Sequence, residues 1–363
     1  MNSTNSKHGH LYEQAVELLT SLISTPSFSR EEDGTAALLE AFFHKHGIVS
    51  QRKENNVWAA NKFFDPSKET ILLNSHHDTV RPNPGYTRDP FLPAVEDGKL
   101  FGLGSNDAGG PLVALISTFV HFYDRPDLPY NLVMAASAEE EISGFNGIES
   151  IYNELPPVSF AIVGEPTLTQ MAIAEKGLMV LDCVAKGRAG HAAREEGVNA
   201  IYESLKDIEW FRTFQFPKVS EVLGKVKMTV TVIHAGQAHN QVPPECVFTV
   251  DVRVTDDYTL EEVLDVIRKN VSCEVQPRSL RFRSSGIAAD HPLVMAGKKI
   301  GKKLYGSPTT SDQALIPAAS VKIGPGDSAR SHSADEFIYL DEIRDGIDTY
   351  IRLIDEVCSY PQN

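Results

Sequence analysis

The sequence predicts a doubly wound α/β domain interrupted by a ferredoxin-like α+β insertion. Three observations carry that prediction. Short, continuous apolar strands alternate with helical patterns from about residue 10 to 164 and again from 291 onward, as in a parallel sheet covered on both faces. Between them, 178–185, 227–234 and 246–254 alternate apolar and polar residues, the mark of a half-exposed antiparallel sheet. The continuous strands each lead into acids or histidines, at the edge where open α/β sheets collect their reacting groups. The parts read as 1–176, an insertion over 177–288, and 289–363.

Residues 1–9 are polar, and a helix is expected from about His10. Leu11, Ala15, Leu18, Leu19 and Leu22 fall on one face of it, and Thr25-Pro26 ends it. Ser29 followed by Glu32 reads as a capping box for a second helix, which turns Leu38, Leu39, Phe42 and Phe43 inward and stops before Gly47. Residues 57–60 and 71–75 read as strands. The Pro/Gly-rich stretch 79–105 is long for a loop in a compact domain, a length found where loops are functional or disordered. Residues 109–123 then read as a buried helix, 131–137 as a strand, 147–154 as a helix and 160–164 as a strand. Within the insertion the expected order is strand 178–185, helix 198–211, strands 227–234 and 246–254, helix 260–270 and strand 279–284, the ferredoxin-like sequence of elements. A helix over 293–305, a buried strand over 319–323 and a helix from about Leu340 complete the chain.

The 363 residues carry a formal charge of −15, which argues against nucleic acid or an anionic membrane as partner, since both select clustered Lys and Arg. Cys183, Cys246, Cys273 and Cys358 are scattered without a Cys-x-x-Cys, as reduced core thiols are. The first ten residues lack a signal-peptide apolar stretch, and no apolar run reaches the length of a membrane span. A cytoplasmic protein is the expectation.

The chemistry is written at the strand ends. The run Ile71-Leu72-Leu73-Asn74-Ser75 leads to His76 and Asp78. Asn131–Ser137 leads to Glu139-Glu140-Glu141, Phe160–Gly164 to Glu165, and the strand over 319–323 to a loop holding His332. Asp107 lies in a turn flanked by Gly102, Gly104, Gly109 and Gly110. Singly, each has a plainer role: the glutamates as a solvated helix start, Asp107 as an N-cap, Glu165 as a turn residue, His191 as a loop histidine. Their shared placement is what those roles leave unexplained. Carboxylates crowded together repel and favour protonation, and divalent cations remove that cost. A mixed imidazole and carboxylate set suits zinc, and two histidines with three carboxylates exceed what one tetrahedral ion takes.

These motifs, in this order, resemble the co-catalytic dizinc amidohydrolases and exopeptidases that include acetylornithine deacetylase, succinyl-diaminopimelate desuccinylase, aminoacylase and carboxypeptidase G. The resemblance runs from Leu18 to the last helix. It implies two Zn²⁺ ions (with Co²⁺ or Mn²⁺ as substitutes) held by His76, Asp107, Glu141, Glu165 and His332, with Asp107 bridging and its following peptide bond cis. It implies Glu140 as general base, Asp78 as the acid that orients His76, and His191 in Gly-Arg-Ala-Gly-His as the group that stabilises the oxyanion in a partner subunit. Asn240 and Arg253 are then the groups holding a substrate carboxylate. The insertion would serve as lid and dimerisation domain of a homodimer.

The implied reaction is hydrolysis of the amide of a small N-acyl amino acid, N-acetylornithine or N-succinylornithine in arginine biosynthesis. Succinyl-diaminopimelate, dipeptides and aminoacylase substrates are the alternatives within the family, and an inactive binding protein on the same fold is the non-enzyme alternative. Four departures stand out: Ser75 where the family has glycine or a small apolar residue, a second histidine at His77, Glu139 where the family has aspartate, and the residue after Val80. Arg81 follows Val80 where the family has proline, so Arg81 or Arg88 is a candidate for a distal substrate carboxylate.

Overall fold

The computed structural model describes residues 8–194 and 196–360. The chain forms two compact units, each folded around its own core. The first comprises the chain up to Ile173, Ile287–Tyr305 and the part from Ser311 on; the second comprises Ala174–Gly286 and Gly306–Thr310.

The first unit is built on a mixed sheet whose strands lie in the order Gln51–Lys53, Asn56–Ala60, Asn131–Ser137, Thr70–His76, Phe160–Val163, Ala319–Lys322 and Met171–Glu175. The four strands from Asn131–Ser137 to Ala319–Lys322 run parallel. Their neighbours on either side run antiparallel. Burial on both faces explains the continuous apolar runs. Ile71, Leu73, Leu132, Met134, Ile162 and Val321 face one layer of helices, while Leu72, Val133, Ala135, Ala161 and Val163 face Ile148 and Ile151. The helix Gly110–Tyr123 is buried along most of its length because it packs on the sheet and against both Gly9–Ile23 and Leu340–Val357.

Register makes the functional edge. His76 stands opposite Ser137, and Asn74 opposite Val163, so neighbouring strands end at nearly one level. The groups that follow those strands therefore emerge on one side. Gly164 is required by close approach: a Cβ there would stand 2.6 Å from Leu115 Cδ1 and 3.2 Å from Ser75 Cβ, and Glu165 follows it directly.

The second unit is a four-stranded antiparallel sheet in the order Lys227–Ala235, Glu245–Val254, Gly177–Lys186, Glu274–Pro277. Its strands numbered along the chain give 2-3-1-4, the ferredoxin-like topology. Helices Ala200–Thr213 and Leu260–Asn270 supply apolar residues to its main core, with Phe211, Val263, Leu264 and Ile267 meeting Met179, Leu181, Phe248 and Val250. Leu260–Asn270 opens with a true capping box between Thr259 and Glu262.

Several expectations need correction. Ser29 and Glu32 form no capping box: the helix is Asp33–Lys45, with no side-chain cap. Ser29 Oγ instead donates to Asp78 Oδ2 at 2.6 Å. The last strand of the insertion's four-stranded sheet is Glu274–Pro277, not 279–284. The helix expected over 293–305 is Pro292–Lys299, ended by Gly301 at φ +84°, and Leu304–Ser307 is a strand. The helix expected over 147–154 is one turn, Ile148–Ile151, followed by a 3-10 turn. The 79–105 excursion holds two short strands, Ala94–Glu96 and Lys99–Phe101, the latter paired with Phe337–Tyr339. Among the described residues no helix is long and apolar enough to cross a membrane.

Candidate metal centre

His76 is the last residue of its strand, and only 1% exposed. Its Nδ1 lies 3.0 Å from the main-chain oxygen of Asp78, which can only accept, so in the neutral ring Nδ1 carries the proton and Nε2 presents a lone pair. That lone pair faces Asp107 Oδ1 at 3.4 Å and Glu165 Oε1 at 3.8 Å. His332 Nε2 lies 3.0 Å from Glu141 Oε2 and 3.6 Å from Asp107 Oδ2. The two oxygens of Asp107 thus address different histidines. Two ligand groups result, His76-Asp107-Glu165 and Asp107-Glu141-His332, each with its ligand atoms within 4.8 Å of one another. The peptide bond after Asp107 is cis.

The electrostatics ask for cations. Burial raises Glu165 to about 8, with the charges of Asp107 and Glu141 adding to the effect against the opposing pull of His76. Burial likewise raises Glu140 and Glu141. The hydrogen bond to Glu141 raises His332 to about 9. For His76 burial alone would lower the pKa, but bonds to the carboxylates of Asp107 and Asp78 lift it well above its ordinary value. Protons on the histidines thus do what bound cations would do better. Imidazole nitrogen and carboxylate oxygen, with one carboxylate shared, fit a pair of divalent ions of borderline softness.

Behind the candidate ligands lies a layer of buried acids, of which sequence reading found only Asp78. The Asp78 carboxylate stands 3.4 Å from His76 Nδ1, farther than its own carbonyl. It also accepts the N–H of Glu140 at 3.1 Å and of Glu141 at 3.2 Å, so it fixes the Glu140-Glu141 turn as well as the imidazole. Glu32 is fully buried and accepts the N–H groups of Arg30 and Glu139. Asp312, buried too, accepts from Ser137 Oγ at 2.5 Å. A hydroxyl three residues before a glutamate looks the same in sequence whether it caps a helix or reaches a distant carboxylate; only the tertiary fold distinguishes them. Among the departures, His77 is no ligand: Nε2 donates to Asn55 O at 2.8 Å and Nδ1 lies 2.9 Å from Thr35 Oγ1. Arg88 makes two bonds to Glu96 and covers the Phe101 ring, and Arg81 pairs with Glu31 over Phe28.

In the second unit, Gly190–His191 pairs with Gln241–Val242, and Ala192 N donates to Asn240 O, so His191 and Asn240 come together. His191 Nδ1 accepts from Ala193 N at 3.1 Å, which leaves the proton of the neutral ring on Nε2. Arg253 is not with them. It lies on Glu245–Val254, with its Nε and Nη2 bonded to Asp251 and Nη1 to Thr310. Seven residues of extended chain separate it from Cys246, beside the Asn240 hairpin, roughly 24 Å.

The profile described as Peptidase family M20/M25/M40 matches residues 72–356. A LysW-lysine/LysW-ornithine hydrolase from Sulfurisphaera tokodaii is 28% identical over 355 residues, covering 94% of this chain and 95% of that protein. An acetylornithine deacetylase from Proteus mirabilis is 27% identical over 379 residues, covering 94% and 96%. Among solved structures, the M20 family metallo-carboxypeptidase Sso-CP2 from Sulfolobus solfataricus superposes with a TM-score of 0.76 at 17% identity, covering 96% of this chain and 100% of that one.

The raised pKa values set a measurable consequence. With His332 at about 9 and Glu165 at about 8, both hold a proton at pH 7 in the ion-free chain, and a divalent ion must displace it. Zinc uptake by the metal-stripped protein is therefore expected to release protons, and affinity to rise with pH between 6 and 9. Calorimetry at pH 7 in two buffers of different ionisation enthalpy reads this directly; a binding enthalpy independent of buffer contradicts it.

Proposed function

This chain belongs to peptidase family M20/M25/M40, and from that premise we propose that it is a cytoplasmic, zinc-dependent amidohydrolase that deacylates an N-acyl amino acid. The observation that carries the proposal is the division of Asp107 between His76 and His332, which provides for two ions around one shared carboxylate. When bound there, a pair of divalent ions would acidify water and polarise an amide carbonyl.

The remaining steps belong to the chain. Glu140 sits on a turn pinned by Asp78, and burial followed by the charges of Glu165 and Glu141 raises its proton affinity above an ordinary carboxylate. It takes the proton of the attacking water and delivers it to the departing amine. Asp78 keeps His76 in the tautomer that offers Nε2. His191, whose neutral ring carries its proton on Nε2, supplies a hydrogen bond to the developing oxyanion. Asn240 and Arg253 take the substrate carboxylate, and Arg253 does so while sharing its fork with Asp251.

The relatives named for ornithine-type substrates support N-acetylornithine, with ornithine as product in arginine biosynthesis. The succinyl compound is the weaker choice, because the forks of Arg81 and Arg88 are already matched to Glu31 and Glu96. The homodimer has a separate basis. His191 and Asn240 stand at one end of a strand and Arg253 at the other, too far apart to grip one small molecule from a single chain. Two copies remove that conflict. The strand Lys227–Ala235 lies at the sheet edge with Val232 and Ile233 about half exposed, beside Tyr202 and Leu205 on the helix Ala200–Thr213. An edge of this kind invites pairing with its own copy.

Three outcomes are expected. Glu140→Gln lowers kcat by about 10³-fold while metal content by elemental analysis is unchanged; parental turnover in that variant removes Glu140 from the base role. In a metal-replete panel of N-acetylornithine, N-succinylornithine, succinyl-diaminopimelate and a dipeptide, the first gives the highest kcat/KM, and a dipeptide hydrolysed faster than all three N-acyl compounds overturns the substrate assignment. Light scattering on a sizing column gives a dimer for the parent and a monomer with little activity for Ile233→Lys; a monomeric parent with full activity overturns the shared site.

A further inference from the structure

We infer that Glu336 is a positioning residue of the metal centre, the acceptor that holds the Asp107 turn so that each Asp107 oxygen meets its own histidine. The inference rests on the two-ion reading above. The observations are these. The Glu336 side chain is almost wholly buried. One of its oxygens, Oε1, accepts the N–H of Asn106 at 2.8 Å and of Asp107 at 2.9 Å, and Oε2 accepts that of Gly104 at 3.2 Å. Three backbone donors of one turn thus converge on one carboxylate, and without it they would be left unsatisfied in the interior, where a lost acceptor is costly.

The same segment carries His332. At its other end, Asn106 closes two bonds with the main chain of Asp327: its amide donates to Asp327 O at 3.0 Å and its oxygen accepts Asp327 N at 3.0 Å. Residues 327–336 are therefore tied to the Asp107 turn before and after His332. The glutamate returns the tie through its own backbone, where Gly102 N donates to Glu336 O at 3.0 Å. A shift of the turn moves the shared ligand away from both histidines at once. Packing alone does not account for an acid here. Burying a carboxyl side chain is costly, and an apolar side chain of the same volume would avoid that cost. What an apolar side chain lacks is an oxygen for the three N–H groups.

The geometry separates acceptor from charge. Glutamine in place of Glu336 keeps an oxygen where Oε1 serves Asn106 and Asp107 and loses only the longer bond from Gly104; alanine removes every acceptor. The test uses the full-length, metal-stripped chain with zinc alone as probe, read by competition against a chromogenic chelator, alongside kcat and KM of the reloaded enzyme. Glu336→Ala is expected to weaken zinc binding by about 10–100-fold, and to lower kcat while KM stays within about threefold. Glu336→Gln is expected to remain within about tenfold of the parent in both affinity and kcat. An alanine variant that binds two zinc ions with parental affinity overturns the inference, and so does a glutamine variant as impaired as alanine. Should the alanine variant not fold, the glutamine variant alone decides: near-parental affinity supports the acceptor role, and loss of affinity overturns it. A parent chain that takes up no zinc is a different failure, that of the two-ion reading itself.

Discussion

Like charge gathered at one edge of a parallel sheet is the constraint to which the rest of the first unit responds. Parallel register sends Glu140, Glu141 and Glu165 out beside His76, and the Asp107 turn adds a fourth carboxylate. Two such charges at about 4 Å repel by roughly 4 kcal/mol even at the moderate effective dielectric of a protein surface. Burial strips the water that would screen them. The sheet can therefore close around this cluster only with protons or cations in it. Protonated histidines serve in the ion-free chain; divalent ions, held by the same ring nitrogens in place of those protons, would offset more of the charge.

Holding such a cluster in place calls for acceptors that do not themselves bind the ions. Asp78, Glu32 and Glu336 take that part. Each is buried, and each receives backbone N–H groups from a segment that carries a candidate ligand or the proposed base: Asp78 from Glu140 and Glu141, Glu32 from Glu139, Glu336 from Asn106 and Asp107. A hydrogen bond to a charged group stabilises by about 1.5–3 kcal/mol, roughly double a neutral one, so a few such bonds fix a loop that no regular structure holds. Asp78, which its hydrogen bond to His76 holds below the ordinary carboxylate range despite burial, adds to the negative charge of the region and sharpens the demand for cations. There, order and electrostatic strain come from the same side chain.

What the sequence made legible follows from how local each signal is. The buried strands, the helix Leu260–Asn270 and the groups following each strand were readable because apolar runs and strand ends are properties of a few adjacent residues. The misreadings arise where distant partners decide. Leu280 packs against the core and Phe282 is buried, with the alternation of a strand, yet the ladder is made by Glu274–Pro277, whose proline is tolerated because that strand is at the sheet edge. Ser29 and Glu32 have cap spacing, but a strand end 49 residues away offers Ser29 a carboxylate. Glu336 gave no signal at all, since an acid beside an acid in a loop reads as solvated surface. Arg253 and Asn240 share a chemical purpose by resemblance, and only the register of their strand shows how far apart one chain holds them.

Three histidines show why residue type names candidates and a single hydrogen bond selects among them. His76 and His77 are adjacent and both buried. The first gives its Nδ1 proton to the Asp78 carbonyl, so Nε2 is free to ligate. The second spends both nitrogens on Asn55 and Thr35, and burial lowers it to about 4, so it stays neutral and adds no rival ligand. His191 has the opposite arrangement from His76: Nδ1 accepts from Ala193, and Nε2 keeps the proton. One is thereby suited to ligate, one to brace, one to donate to an oxyanion. In each case the choice is made by the partner of the nitrogen that does no chemistry, and that partner is a backbone group or hydroxyl whose position depends on the fold.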